Sequence, residues 1–224
     1  MLINADYSRN VTVTPDQYQW IPSPQQGVER MMLDRAGAEQ ARATSVVRYA
    51  PGSRFPRHAH PGGEEILVLS GTFSDASGDY PEGWYLRNPP GSSHAPSSND
   101  GATLFVKLRQ MPADEPATVR VDTRDPAAWK RELGIEVCPL FSSSYEQTRL
   151  LRLPAAAALP PTSSIGSEIL VLAGSITDGQ AWCPQGSWLR LARGAQVTLS
   201  ADADGATVYL KTSHLPASHS ENLS

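Results

Sequence analysis

The sequence predicts an all-β protein made of two tandem copies of one β-rich unit. Three observations carry this. Nineteen prolines and seventeen glycines punctuate the 224 residues, which favours many short strands and turns over long helices. The apolar residues fall in short β-branched and aromatic runs, such as 44–49, 66–69 and 103–108. Finally, Glu65-Ile66-Leu67-Val68-Leu69-Ser70-Gly71 recurs as Glu168-Ile169-Leu170-Val171-Leu172-Ala173-Gly174, 103 residues later.

In chain order, Val11-Thr12-Val13 reads as an edge strand within a polar segment. Trp20-Ile21-Pro22 leads into a turn-rich piece, and 27–33 reads as a strand. Residues 34–40 read as a loop or hairpin tip, and 44–49 as a strand. The 66–69 run is closed by Gly71, and 71–75 forms a further short strand. Residues 79–83 make a turn, 84–87 a strand, and Asn88-Pro89-Pro90-Gly91 a tight turn that delivers His94. Residues 103–108 close the first copy, and 114–125 read as a linker with a short strand at 118–121. The series then restarts. Gly134-Ile135-Glu136 echoes Gly27-Val28-Glu29, while Gly83, Leu86, Arg87 and Gly91 return as Gly186, Leu189, Arg190 and Gly194. Thr103 and Lys107 return one residue later in register, as Thr207 and Lys211. The expected division is a first domain over 1–113 and a second over 114–224, each of ordinary domain size.

Composition narrows the function. A net charge of −4 and the lack of any Lys/Arg cluster argue against a nucleic-acid partner. No apolar run approaches a membrane span, and the polar start MLINADYSRN has no apolar signal-peptide core. Cys138 and Cys183 cannot make a disulfide framework, and neither lies in a Cys-x-x-Cys motif. Both are expected to be buried rather than redox-active. The expectation is a cytoplasmic protein with neither a nucleic-acid nor a membrane partner.

The chemistry concentrates in one stretch, GSRFPRHAHPGGEEILVLSG over 52–71. His58 and His60 are two apart, so on an extended strand both point to one face. The Pro61-Gly62-Gly63 turn lets the chain bend and bring in a carboxylate from the Glu64-Glu65 pair. Two imidazoles and a carboxylate suit a divalent transition metal such as zinc, iron, nickel or manganese. The repeat separates the two glutamates. Glu65 persists as Glu168, but Glu64 becomes Ser167. His58, His60 and His94 become Pro161, Ser163 and Val197. Glu64 is thus grouped with the histidines and Glu65 with the scaffold. Strand parity agrees, with Glu64, Ile66 and Val68 on one face and Glu65, Leu67 and Leu69 on the other.

These residues resemble a known family. Gly52-x5-His58-x-His60-x3-Glu64-x6-Gly71 is similar to the first cupin motif at every fixed position. Gly83-x5-Pro89-x-Gly91-x2-His94 resembles the second, with its trailing Asn displaced by one residue to Asn99. The resemblance covers both halves, and implies two tandem cupin (double-stranded β-helix, or jelly-roll) barrels, the second degenerate and lacking metal ligands. The wording His-Ala-His-Pro-Gly-Gly-Glu-Glu more narrowly resembles the cupin domain of ChrR-type anti-sigma factors. That resemblance implies zinc held by His58, His60, Glu64 and His94. It also implies a regulatory or stress-sensing role in transcription, with a sigma factor as partner. The anti-sigma part of such proteins is a helical segment with its own His/Cys site. Nothing before Gly27 holds a His or Cys, so the sigma-factor expectation rests on family resemblance only.

The alternative is a metal-dependent cupin dioxygenase or related enzyme acting on a small molecule. Phe55, Phe73, Trp84, Tyr85 and Phe105 are candidates for the surroundings of the metal, each read first as core. Arg54 and Arg57 could meet an anionic ligand at the pocket mouth but read first as solvated charges. His214 and His219 are read as non-ligands. The second barrel could retain an apolar cavity or be filled by side chains such as Leu151, Leu153, Ile169 and Val171, and is expected to pair with the first. A homodimer is a further expectation.

Overall fold

The computed structural model describes residues 1–37, 40–160, 166–213 and 215. Apart from two short 3-10 turns, its regular elements are strands, joined by antiparallel ladders. The chain forms two compact units, Met1–Ala5 with Gln19–Asp125, and Asp6–Tyr18 with Pro126–Ser224.

In the first unit the main sheet runs Leu2–Ile3, Val28–Ala36, Arg42–Tyr49, Ala102–Leu108, Glu64–Asp75, Trp84–Asn88, Val119–Asp122. The long strand Glu64–Asp75 serves two sheets. Its first half lies between Ala102–Leu108 and Trp84–Asn88, and beyond Gly71 it pairs with Gly78–Pro81 and Ser97. The change falls at Gly71, where φ is +71° and a Cβ would stand 2.1 Å from the Gly101 carbonyl oxygen. Only glycine fits that approach. A third ladder joins His58–His60 to Ser92–His94. The result is a jelly roll, which packs one antiparallel sheet on another.

Register decides what faces inward. Glu64, Ile66 and Val68 stand opposite Leu108, Val106 and Leu104, on the interior face. Glu65 stands opposite Lys107 and Arg87 on the other face. Strand parity therefore sorts the two glutamates as the repeat does.

The second unit keeps the same order, with Ile135–Ser142, Gln147–Leu153, Ser200–Thr212, Ser167–Thr177 and Trp188–Leu191 as neighbours. Gly174 repeats the Gly71 turn, its Cβ position again 2.1 Å from a glycine carbonyl, that of Gly205. Leu151, Leu153, Ile169 and Val171 all lie in this unit's apolar core.

A single cut at residue 113 does not reproduce the units. Val119–Asp122, expected within a linker, completes the first sheet beside Trp84–Asn88. Val11–Val13, expected in the first domain, pairs with Trp188–Leu191 in the second unit. The two segments precede the first long strand of their own copies, so each unit takes this edge strand from the other copy. Both segments alternate valine with a polar residue, so either could cap an open sheet edge. Sequence order alone does not choose between the edges. Two smaller differences are that the strand expected to end near residue 33 continues to Ala36, and that Gly78–Pro81 is a strand rather than a turn.

Candidate metal centre

His58 and His60 flank Ala59 on one short strand, and His94 is the register partner of His58 on the next. Alternation and pairing therefore put three imidazoles on one side of the ladder. Their ring centroids are 4.7 to 5.2 Å apart. One ring nitrogen from each lies within 4.8 Å of the others. Glu64 reaches the group from the main sheet. Its Oε2 lies 3.5 Å from His60 Nε2 and 3.4 Å from His94 Nε2. The three imidazoles thus form one group, and Glu64 closes on two of them, His60 and His94.

The donor set fits a divalent cation. His60 Nε2 and His94 Nε2 are buried and make no hydrogen bond, a condition rare for buried nitrogen unless another partner completes it. The far sides of two rings are anchored. His58 Nδ1 lies 3.0 Å from the Pro56 carbonyl and His94 Nδ1 3.2 Å from Asp75 Oδ2. Protons held on those Nδ1 atoms leave each Nε2 lone pair for a metal. Glu64 is oriented in turn by Asn88, whose Nδ2 donates to Oε2 at 3.1 Å. Arg120 donates to Asn88 Oδ1 at 2.7 Å.

The electrostatics favour neutral ligands in the absence of a cation. Burial, helped by His94 and His58, pushes His60 down to about 3. Burial also lowers His94, against the opposing hydrogen bond that its ring donates to Asp75. Burial pushes Glu64 up to about 7, against the Asn88 hydrogen bond. A dication reverses this balance for the carboxylate by supplying the missing countercharge.

Beside the group lies a cavity of about 280 Å³. Apolar side chains such as Phe55, Ile66, Phe73, Leu104 and Val106 make most of its wall, with Arg30, Arg35 and Arg109 among the rest. Phe55 and Phe73 lie near the centre, at 5.8 Å from the rings of His58 and His94 respectively. Trp84 packs on the core, while Tyr85 and Phe105, register partners of Leu67, lie on the outer face. Arg54 and Arg57 do not line the cavity, and are exposed beside Asn99 and Ser93.

Glu65 takes the scaffold role, ion-paired with the fully buried Arg87 at 3.4 Å. Its repeat Glu168 accepts from Trp188 Nε1 at 2.7 Å. Val197, in the place of His94, packs against the second core. Pro161, Ser163, His214 and His219 lie outside the described residues. Among the described residues, the only group of three or more potential ligands is the one in the first unit. Cys138 and Cys183 are buried free thiols, and burial pushes Cys138 up to about 11.

Sequence reasoning missed Asp75, Asn88, Tyr49, Arg30 and Arg35. Asn88 sits directly opposite Glu64 in the ladder, so strand pairing is the signal that could have found it. The others are brought in by tertiary folding alone.

Residues 8–112 match the family of the ChrR Cupin-like domain. No curated protein matches the chain. Among solved structures, the chain is similar to a candidate dioxygenase of Nostoc punctiforme at 12% identity, with a TM-score of 0.76, 92% of this chain and 82% of that one. It is similar to protein Ylba of E. coli at 17% identity and TM-score 0.72, covering 94% and 93%. It is also similar to the bacterial pirin YhhW of Escherichia coli, solved with nickel(II), at 14% identity and TM-score 0.66, covering 91% and 98%. At these identities the likeness is one of fold.

Proposed function

We propose that the first unit holds one divalent metal ion through His58, His60, His94 and Glu64, and that this centre acts on a small organic molecule bound in the adjoining cavity. One observation carries the reading. Two orphaned, buried imidazole nitrogens converge with a third imidazole and a carboxylate at the edge of a largely apolar cavity. A site that only stiffened the fold would need no such cavity. When bound, the metal would supply Lewis-acid or redox chemistry to an oxygen-bearing group. The chain's own residues do the rest. Asp75 and the Pro56 carbonyl fix two imidazoles, Asn88 and Arg120 fix Glu64, and Phe55 and Phe73 keep water from the inner side. Enzymes of the dioxygenase kind fit this arrangement, and one similar fold belongs to a candidate dioxygenase.

The match of residues 8–112 to the ChrR Cupin-like domain favours a second reading. There the same four ligands hold zinc in a closed site with a regulatory or stress-sensing role. Coordination number separates the two. Five- or six-coordinate iron, nickel or manganese with exchangeable water, together with oxygen consumption on dicarbonyl compounds, supports the enzyme. Closed four-coordinate zinc, with no oxygen consumption and co-purification of a sigma factor, supports the regulator.

A further inference from the structure

We infer that the cavity takes a small carboxylate with an apolar body, its carboxylate on Arg30 and Arg35 and its other end toward the histidine group. The register of Val28–Ala36 points there. Val28 and Arg30 stand opposite Tyr49 and Val47, and all four line the cavity. Continued alternation would bring Met32 and then Asp34 to that face. The ladder slips between Met32 and Asp34, so Leu33 is an extra residue. The bulge turns Asp34 outward, opposite Thr44, and brings Arg35 to the inner face opposite Ala43. A strand that would have put a carboxylate into the cavity puts a second guanidinium there instead.

Arg35, Ala43, Leu108 and Glu64 are successive register partners across four strands. Arg35 and Glu64 are therefore three strand spacings apart, about 14 Å along the sheet. Their side chains reach inward from both ends, leaving the span of a small molecule. Between them the wall is apolar, with Val47, Leu104, Val106 and Leu108. Tyr49 stands in the same space, where its phenol feels both the Glu64 charge and the Arg30 charge.

Arg30 and Arg35 both line the cavity and their charges repel, and the half-buried Arg30 calls for an anion. Arg30 donates to Ser23 Oγ at 2.6 Å, and among the described residues no carboxylate forms an ion pair with it. Burial and the Arg35 charge both lower its pKa. Planar guanidinium forks match a carboxylate's two oxygens. Apolar walls favour a ligand with a hydrocarbon body over inorganic phosphate, which would leave them wet. The inference rests on the metal-centre reading only for what the far end of the ligand meets.

Calorimetric titration with hexanoate, its neutral isostere hexanamide, and inorganic phosphate tests this on the full chain, both metal-loaded and chelator-treated. Hexanoate is expected to bind at least tenfold tighter than hexanamide in both forms. Arg30→Gln and Arg35→Gln should each remove tenfold or more of that affinity at unchanged metal content and thermal midpoint, with Arg30→Lys intermediate. Equal binding of hexanoate and hexanamide would overturn the inference, as would insensitivity to both substitutions in folded variants. Phosphate binding as tightly as hexanoate, or hexanoate binding lost with the metal, would overturn it too. A chain that takes up no metal yet discriminates hexanoate through Arg30 would sink the metal-centre reading and leave this one standing.

Discussion

Glu64 and Glu65 are adjacent in the chain and lie on opposite faces of one strand. Glu64 meets two imidazoles and Glu65 meets Arg87. Truncating them should therefore fail differently. His60→Ala and Glu64→Ala are expected to strip the metal, measured by elemental analysis of the purified variants. Glu65→Ala should keep the metal and lose on the order of 1–3 kcal/mol of stability, because the buried Arg87 then keeps only Glu115, at 3.7 Å, as its carboxylate partner. Metal lost in Glu65→Ala and kept in Glu64→Ala would reverse the assignment. The pH dependence follows from the same side chains. Glu64 is raised to about 7, so below that pH a metal must displace its proton. Metal affinity should rise about tenfold per pH unit up to near 7 and then flatten. His60, depressed to about 3, adds little to the slope, and burial lowers His94 in the same direction. For the metal-free fold the signs oppose. The raised Glu64 costs stability as pH climbs from 4.5 through about 7, and the depressed His60 costs stability as pH falls from 6.5 toward about 3. A chelator-competition titration in which affinity stays flat below pH 7 would contradict the role of Glu64. The histidine group was legible in the sequence because His58 and His60 share a strand face and the repeat loses His58, His60 and His94 together. Asp75 and Asn88 were not, since an isolated Asp or Asn carries no spacing signal.

At the scale of elements, the long strand Glu64–Asp75 links the main sheet that bears Glu64 to the strands that face it, and Gly71 is where it turns. Its equivalent Gly174 has nearly the same φ, +67°, and the same contact on a glycine carbonyl. Gly71→Ala and Gly174→Ala are each expected to destabilise the protein by roughly 2 kcal/mol or more, since both strain a left-handed backbone and drive a methyl into a carbonyl. Thermal unfolding of the two variants checks this, and a loss under 0.5 kcal/mol in either would remove the turn from the account. The strands themselves were legible, because β-branched runs between Gly and Pro signals leave few other readings. The bulge at Leu33 was not, since alternation in 28–36 gives no sign of where the ladder slips. That slip decides which of Asp34 and Arg35 meets the cavity, while Arg54 and Arg57, nearest the histidines in sequence, are the exposed charges they were first read as.

In the whole molecule, two copies of one fold divide the work unequally. The first has a histidine group and a cavity, and the second has an apolar core of Leu151, Ile169, Val171, Val208 and their neighbours. Duplication was plain from the recurring Glu-Ile-Leu-Val-Leu run. The exchange of edge strands was hidden, because Val11–Val13 and Val119–Asp122 carry equivalent patterns and pairing depends on which edge each reaches. It has a measurable consequence. A fragment spanning 19–125 retains the strand beside Trp84–Asn88, and one spanning 1–113 lacks it. The first is expected to stay folded and bind metal more tightly than the second, as read by thermal unfolding and metal content. Equal behaviour would mean that the edge strand contributes little. The most direct test of the metal centre is elemental analysis of the full chain together with its His60→Ala variant. One divalent ion per chain, lost in the variant, is the predicted result. No bound ion, two ions per chain, or one that survives His60→Ala would contradict it.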